Sequence, residues 1–136
     1  MTYMTWSNDL SVGVTQFDEE HRQLIGLINE MHDEVRGGTT NEALVRISDK
    51  LIATLVAHLD NEEKCFDELH YPRAGMHKAT HENMKMRIST LRGEIGRKES
   101  TQLAREMLHF LRESLLDHIQ EEDKNYSEYL NEQGVH

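Results

Sequence analysis

From about residue 18 onward, apolar side chains recur three and four positions apart in four runs separated by turn-forming residues. That spacing follows the 3.6-residue α-helical turn and predicts four amphipathic helices, over about 18–37, 41–70, 74–96 and 100–131, behind a non-helical arm of about 17 residues. The first takes its cap from Asp18, carries His21, Leu24, Ile25, Ile28, Met31 and Val35 on one stripe, and stops at Gly37-Gly38. The second carries Leu44, Ile47, Leu51, Leu55, His58, Glu62 and Phe66. It has to end ahead of Tyr71-Pro72, because proline disfavours helical geometry in the residue before it. The third places His77, His81, Met84, Ile88, Leu91 and Ile95 in register, and the fourth Leu103, Met107, Phe110, Leu111, Leu115 and His118. Short connections between four such helices imply an all-α fold: an up-down-up-down four-helix bundle with an N-terminal arm, forming one unit over residues 1–136.

Each apolar stripe is interrupted by imidazole or carboxylate where the spacing expects a core side chain: His21, His58 with Glu62, His77 with His81, and His118. Burying one such group without a partner costs roughly 1–3 kcal/mol, so the set would cost on the order of 10–20 kcal/mol. A whole domain is worth only about 5–15 kcal/mol, so these groups must satisfy one another or bind something. His58 with Glu62 and His77 with His81 are spaced i, i+4, which stacks each pair on one helix face and lets both side chains reach one ion. Neutral imidazole and carboxylate are good ligands for divalent first-row metals. The other histidines, His32, His70, His109 and His136, fall beside the stripes, in a turn or at the end, and read as surface groups. The run Glu19-Glu20 before His21 reads as a solvated face.

A second carboxylate is available after His118, but its identity stays open at this level. Glu122 is i+4, about 40° away on an ideal helix, whereas Asp123 is i+5, about 140° away, and comes into line only if the helix is underwound, as in a π-bulge. Five imidazoles and two carboxylates are too many for one tetrahedral zinc but suit two ions of higher coordination with the carboxylates bridging.

Composition and charge narrow the setting. A formal charge of −10 argues against nucleic acid or an anionic membrane surface as partner. No apolar run is long enough for a membrane span, and the start MTYMTWSNDLSVGV lacks a secretory layout, so a cytoplasmic location is expected. Cys65, the single cysteine, cannot form an internal disulfide and reads as a small core filler. No further apolar stripe is visible, which favours a monomer.

Taken together, His21, then His58 and Glu62, then His77 and His81, then His118 and Asp123 resembles the ligand set of the haemerythrin family, specifically its bacterial single-domain members. The resemblance covers nearly the whole chain, including Trp6 in the arm, Asp18 three residues before His21, and Tyr71-Pro72 ahead of the histidine pair. It implies reversible O2 binding at a non-haem di-iron centre, for storage, delivery to an oxygen-consuming enzyme or buffering, without catalysis. His77, His81 and His118 would hold one iron, His21 and His58 the other, and Glu62 and Asp123 would bridge with a hydroxo or oxo group. The resemblance therefore chooses Asp123 over Glu122 and expects distorted helical bonding between His118 and Asp123. O2 would enter on the two-histidine iron, with Leu59, Leu115 and Ile119 as candidate pocket wall. Relatives are often aromatic where this chain has Leu59, and the usual apolar pair after the bridging glutamate appears here as Cys65-Phe66. A di-iron oxidase or peroxidase, NO detoxification, or a module sensing O2, redox state or iron are the alternatives, and zinc could replace iron in such donors. The bundle enzymes usually show carboxylate-rich sites with Glu-x-x-His spacing, whereas the donors on these stripes are i, i+4 pairs and five imidazoles.

Overall fold

The protein was analysed as a computed structural model that describes residues 3–95 and 100–136, the side chains of 100 and 121–124 excepted. Helix α1 spans Thr15–Arg36, α2 Asn41–Leu69, α3 Ala74–Glu94 and α4 Ser100–Asp117. A π-helical segment, His118–Asp123, joins α4 to α5, Lys124–Glu132. A short 3-10 turn, Asn8–Leu10, lies in the arm, and no strand occurs among the described residues. The four long helices form an all-α bundle in which α1 packs on α2 and α4, and α3 packs on the same two from the other side. The apolar stripes read from the sequence line its interior, and the gaps in them are filled by Phe17, Leu27, Ala104, Leu108, Tyr126 and Leu130.

The first helix begins three residues earlier than its expected cap. Val14 is the N-cap, with no side-chain cap bond, and Asp18 sits in the first turn. The Asp18 carboxylate instead ties down the arm, accepting from the Val12 N–H at 2.8 Å and the Ser11 hydroxyl at 2.6 Å. The Asn29 side chain clamps the Met4 backbone, donating to its carbonyl at 2.7 Å and accepting from its N–H at 2.8 Å. Leu10, Val12 and Val14 alternate inward, as extended chain does. Gly13 permits that path: its φ is +70°, and a Cβ there would lie 2.7 Å from Ser127 Oγ. Its carbonyl accepts from Asn131 at 3.0 Å, which fastens the arm to α5.

The second helix starts on a Thr40 cap whose hydroxyl accepts from the Ala43 N–H at 3.1 Å. It stops at His70, one residue before the expected influence of Pro72 would end it. His70 adopts left-handed geometry (φ 54°, ψ 46°), and the Tyr71 N–H returns to the Phe66 carbonyl at 2.9 Å. The rings of Phe66 and Tyr71 then pack with centroids 5.0 Å apart, the apolar contact that accompanies this type of helix end. The fourth predicted helix is not one continuous α-helix, because hydrogen bonding switches to i→i+5 after Asp117 and back after Asp123. His109 and His70 are exposed as expected, but His32 is half-buried, its ring stacked on Tyr3 at 4.4 Å between centroids.

Left-handed geometry costs an L-residue about 1–2 kcal/mol, and glycine escapes that cost. Replacing the exposed His70 by glycine is therefore expected to stabilise the protein by about 0.5–1 kcal/mol, read as a higher urea midpoint at unchanged m-value.

Candidate metal centre

Two turns in the middle of α2 carry the centre of the site. His58 and Glu62 are one turn apart on its buried face, 2 % and 0 % exposed, with His58 Nε2 2.9 Å from Glu62 Oε1. From α3, His77 and His81 stack one turn apart, and from the start of the π-helical segment after α4 comes His118. The three rings enclose a common space, with centroids 4.6 Å (His77 to His81), 4.7 Å (His77 to His118) and 4.8 Å (His81 to His118) apart. Their Nε2 atoms turn toward Glu62: His81 and His118 lie 3.7 and 3.9 Å from Oε1, and His77 lies 3.9 Å from Oε2. On the other side of the carboxylate, His21 from α1 faces His58 with ring centroids 4.5 Å apart.

The site thus divides into two donor groups, Glu62 with His77, His81 and His118, and Glu62 with His21 and His58, each able to offer ligand atoms within 4.8 Å of one another. Glu62 belongs to both. All six side chains are buried. Asp123, the seventh expected member, has a side chain outside the described residues. Its backbone lies in the π-helical segment, where i→i+5 bonding places it one hydrogen-bonded turn after His118.

The donor chemistry suits metal. His81 Nε2 and His118 Nε2 approach to 2.9 Å, although both are basic nitrogens whose lone pairs repel unless a proton or cation lies between them. Two nitrogens each about 2.1 Å from one ion and at right angles to each other would be separated by about 3 Å. The carboxylate between the groups supplies negative charge to both sides, as a bridging ligand must. Five neutral imidazoles with so few carboxylates make a site that can hold two divalent ions without gathering large negative charge in a dry core.

The surroundings separate the groups from water. Phe66 and Tyr126 lie against His77, with centroids 4.8 and 5.6 Å away, and Phe17 lies edge-on to His58 at 6.0 Å. Leu59, Leu115 and Ile119 are all buried. Among the described residues, clefts border three of the ligands, a small one of about 60 Å³ beside Tyr71 and Met76 lying against His77. A cleft of about 340 Å³ lined by Gln23, Thr54 and Asn61 borders His58, and another of about 200 Å³ lined by Met84, Phe110 and Ser114 borders His118.

The sequence reading missed three participants. Tyr126 is fully buried beside His77, and the change of helical phase after His118 hid it. Glu20, assigned to a solvated face, lies instead with Oε1 2.6 Å from His58 Nδ1. Burial works against that carboxylate, but hydrogen bonds with His58, Gln16 and Asn61 outweigh it and hold its pKa below the ordinary glutamate value. Glu63 lies 3.8 Å from His81 Nδ1, and burial pushes its pKa up, partly offset by Lys85. Cys65 is half-buried against the core, and burial raises its thiol pKa, helped by Glu68 and Glu62.

A helical bundle whose core holds two imidazole groups joined by one carboxylate is the architecture of a cation-binding helical domain, and comparison with known proteins agrees. The chain belongs to the hemerythrin family: residues 12–130 match the family model of the hemerythrin HHE cation binding domain. It is similar to the bacteriohemerythrin of Stenotrophomonas maltophilia (strain R551-3), 26% identical over 130 residues that cover 96% of this chain and 83% of that protein. It is also similar to the bacteriohemerythrin of Clostridium acetobutylicum (strain ATCC 824), 23% identical over 128 residues covering 89% of this chain and 96% of the relative. Among solved structures, wild-type hemerythrin superposes with a TM-score of 0.85 at 26% identity, covering 93% of this chain and 96% of that one.

Replacing His77 or His118 by alanine is expected to reduce bound metal below about two ions per chain and to lower the melting temperature of the metal-loaded protein. Because bound ligand stabilises by mass action, the loss should be markedly smaller after both proteins are stripped with chelator. Metal analysis with paired thermal melts checks it.

Proposed function

We propose that this chain binds O2 reversibly at a non-haem di-iron centre. The observation that carries the reading is the sharing of Glu62 between a three-histidine and a two-histidine group. His77, His81 and His118 would hold one iron, His21 and His58 the other, and Glu62 and Asp123 would bridge them. When bound, such a pair of ferrous ions can lend two electrons to O2 and recover them on release.

The protein's part is to hold the ligands and to keep water out. His21 and His58 offer fewer donors than the opposite group, which leaves the site where O2 would bind on their side. Leu59, Leu115 and Ile119 are apolar and buried, and would exclude the water and protons that turn reversible uptake into irreversible oxidation. The scarcity of carboxylates gives little support to high-valent iron, which favours carriage over oxygenation chemistry. The relatives' name, bacteriohemerythrin, supports the same assignment. We read the chain as a monomeric, non-catalytic O2-binding protein of the cytoplasm serving storage, buffering or supply to an oxygen-consuming enzyme. No helix among the described residues is long and apolar enough to cross a membrane.

Iron-loaded protein mixed anaerobically and then exposed to O2 in a stopped-flow instrument is expected to develop a visible spectrum that disappears under argon and returns with O2. Continuous O2 or peroxide consumption with no recoverable oxygenated form would replace this reading with an oxidase or peroxidase. A second outcome concerns the bridge. Asp123→Ala is expected to abolish the di-iron spectrum while Glu122→Ala largely retains it, and the reverse pattern would assign the carboxylate to Glu122.

A further inference from the structure

Glu19 and Glu20 are adjacent in a charged run, yet the fold gives them opposite surroundings. Glu19 is exposed and pairs with Arg22 on the surface of α1. Glu20 turns inward with its side chain 16% exposed, and its two oxygens are both engaged. Oε1 lies 2.6 Å from His58 Nδ1, while Oε2 accepts from Asn61 Nδ2 at 2.8 Å and from Gln16 Nε2 at 3.1 Å. Gln16 is one turn before Glu20 on α1, and Asn61 is nearly one turn after His58 on α2, so both helices fix this carboxylate in place.

The consequence falls on the imidazole. A carboxylate can only accept, so its contact with Nδ1 requires the proton on that nitrogen and leaves Nε2 as the basic one. Nε2 is the atom that faces Glu62 and the centre. In the opposite group, Glu63 lies 3.8 Å from His81 Nδ1 and also 3.8 Å from the Lys85 ammonium. The half-buried, fully engaged carboxylate therefore stands behind the side of the centre that has two imidazoles rather than three.

We infer that Glu20 is a positioning residue for a cation on the His21 and His58 side, fixing the tautomer and orientation of His58 and strengthening it as a donor where donors are fewest. The inference rests on the two-ion reading of the site.

Anaerobic titration of the metal-free, full-length protein with cobalt(II), followed by its visible absorption, tests the role with Glu20→Gln, Glu20→Ala and Glu19→Gln. Glutamine keeps the size and the acceptor oxygen but removes the charge. Glu19→Gln removes the same charge from the neighbouring residue without touching His58, and should titrate as the wild type does. Glu20→Gln is expected to weaken one of the two binding steps about 10–100-fold and leave the other within about threefold, the size typical of ligand-orienting carboxylates. Glu20→Ala should weaken the same step further. Melting of each metal-free variant separates this from misfolding, since a packing role would lower that melting temperature and weaken both steps together. Two unchanged steps in Glu20→Gln, or equal weakening of both, would overturn the role of Glu20 while leaving the two-ion reading standing. Wild-type uptake of fewer than two cobalt ions would overturn that reading and this inference with it.

Discussion

The carboxylate of Glu62 is buried in the middle of the bundle, and the rest of the architecture is arranged around that fact. An anionic side chain taken out of water needs compensation close at hand, and here it comes from imidazoles on α1, α2, α3 and the π-helical segment after α4. Neutral imidazoles alone compensate a carboxylate poorly. Cations held between them do so well, which makes folding and ligand binding two expressions of one electrostatic requirement. The apolar stripes supply most of the burial energy, but burial would be satisfied by many rotations of the helices about their axes. Convergence of donors on a single carboxylate leaves far fewer.

Three local devices hold that rotation. The arm is fastened at both ends, by Asn29 at Met4 and by Asp18 and Asn131 at Val12 and Gly13. The end of α2 is closed by left-handed His70 and by the packing of Tyr71 on Phe66, and this sets where α3 begins relative to Glu62. The π-helical segment changes the phase of the last helix just beyond His118. That phase change turns Tyr126 inward against His77, so the same irregularity closes the lower wall of the site.

The two halves of the centre differ in the number of imidazoles they bring to Glu62. Three rings crowd one side, and two rings face the other, backed by Glu20 through His58. An arrangement of this kind suits a pair of ions asked to do different work: one saturated by its ligands, the other with room for an incoming molecule. Leu59, Leu115 and Ile119 are buried and apolar, and on the proposed reading they would add a dry boundary. These features sit together naturally in a protein proposed to take up a small apolar gas and return it unchanged.

Much of this was legible in the order of residues, because helical periodicity is local. The stripes, their polar interruptions at His21, His58, Glu62, His77, His81 and His118, and the need for something to satisfy them all follow from spacing and from the cost of burying polar groups. The distortion after His118 was expected only from the family resemblance, because ideal helical spacing alone favours Glu122. Tertiary structure decided what depends on partners distant in the chain. Glu19 and Glu20 are chemically the same, and only the approach of α2 turns one into a half-buried partner of His58 while its neighbour stays in water. Asp18 looked like a helix cap because its proper partner, the Val12 N–H, is set by how the arm folds back. Periodicity determines which face of a helix is buried, since that is a property of one segment; the neighbour that face meets is a property of the packed whole.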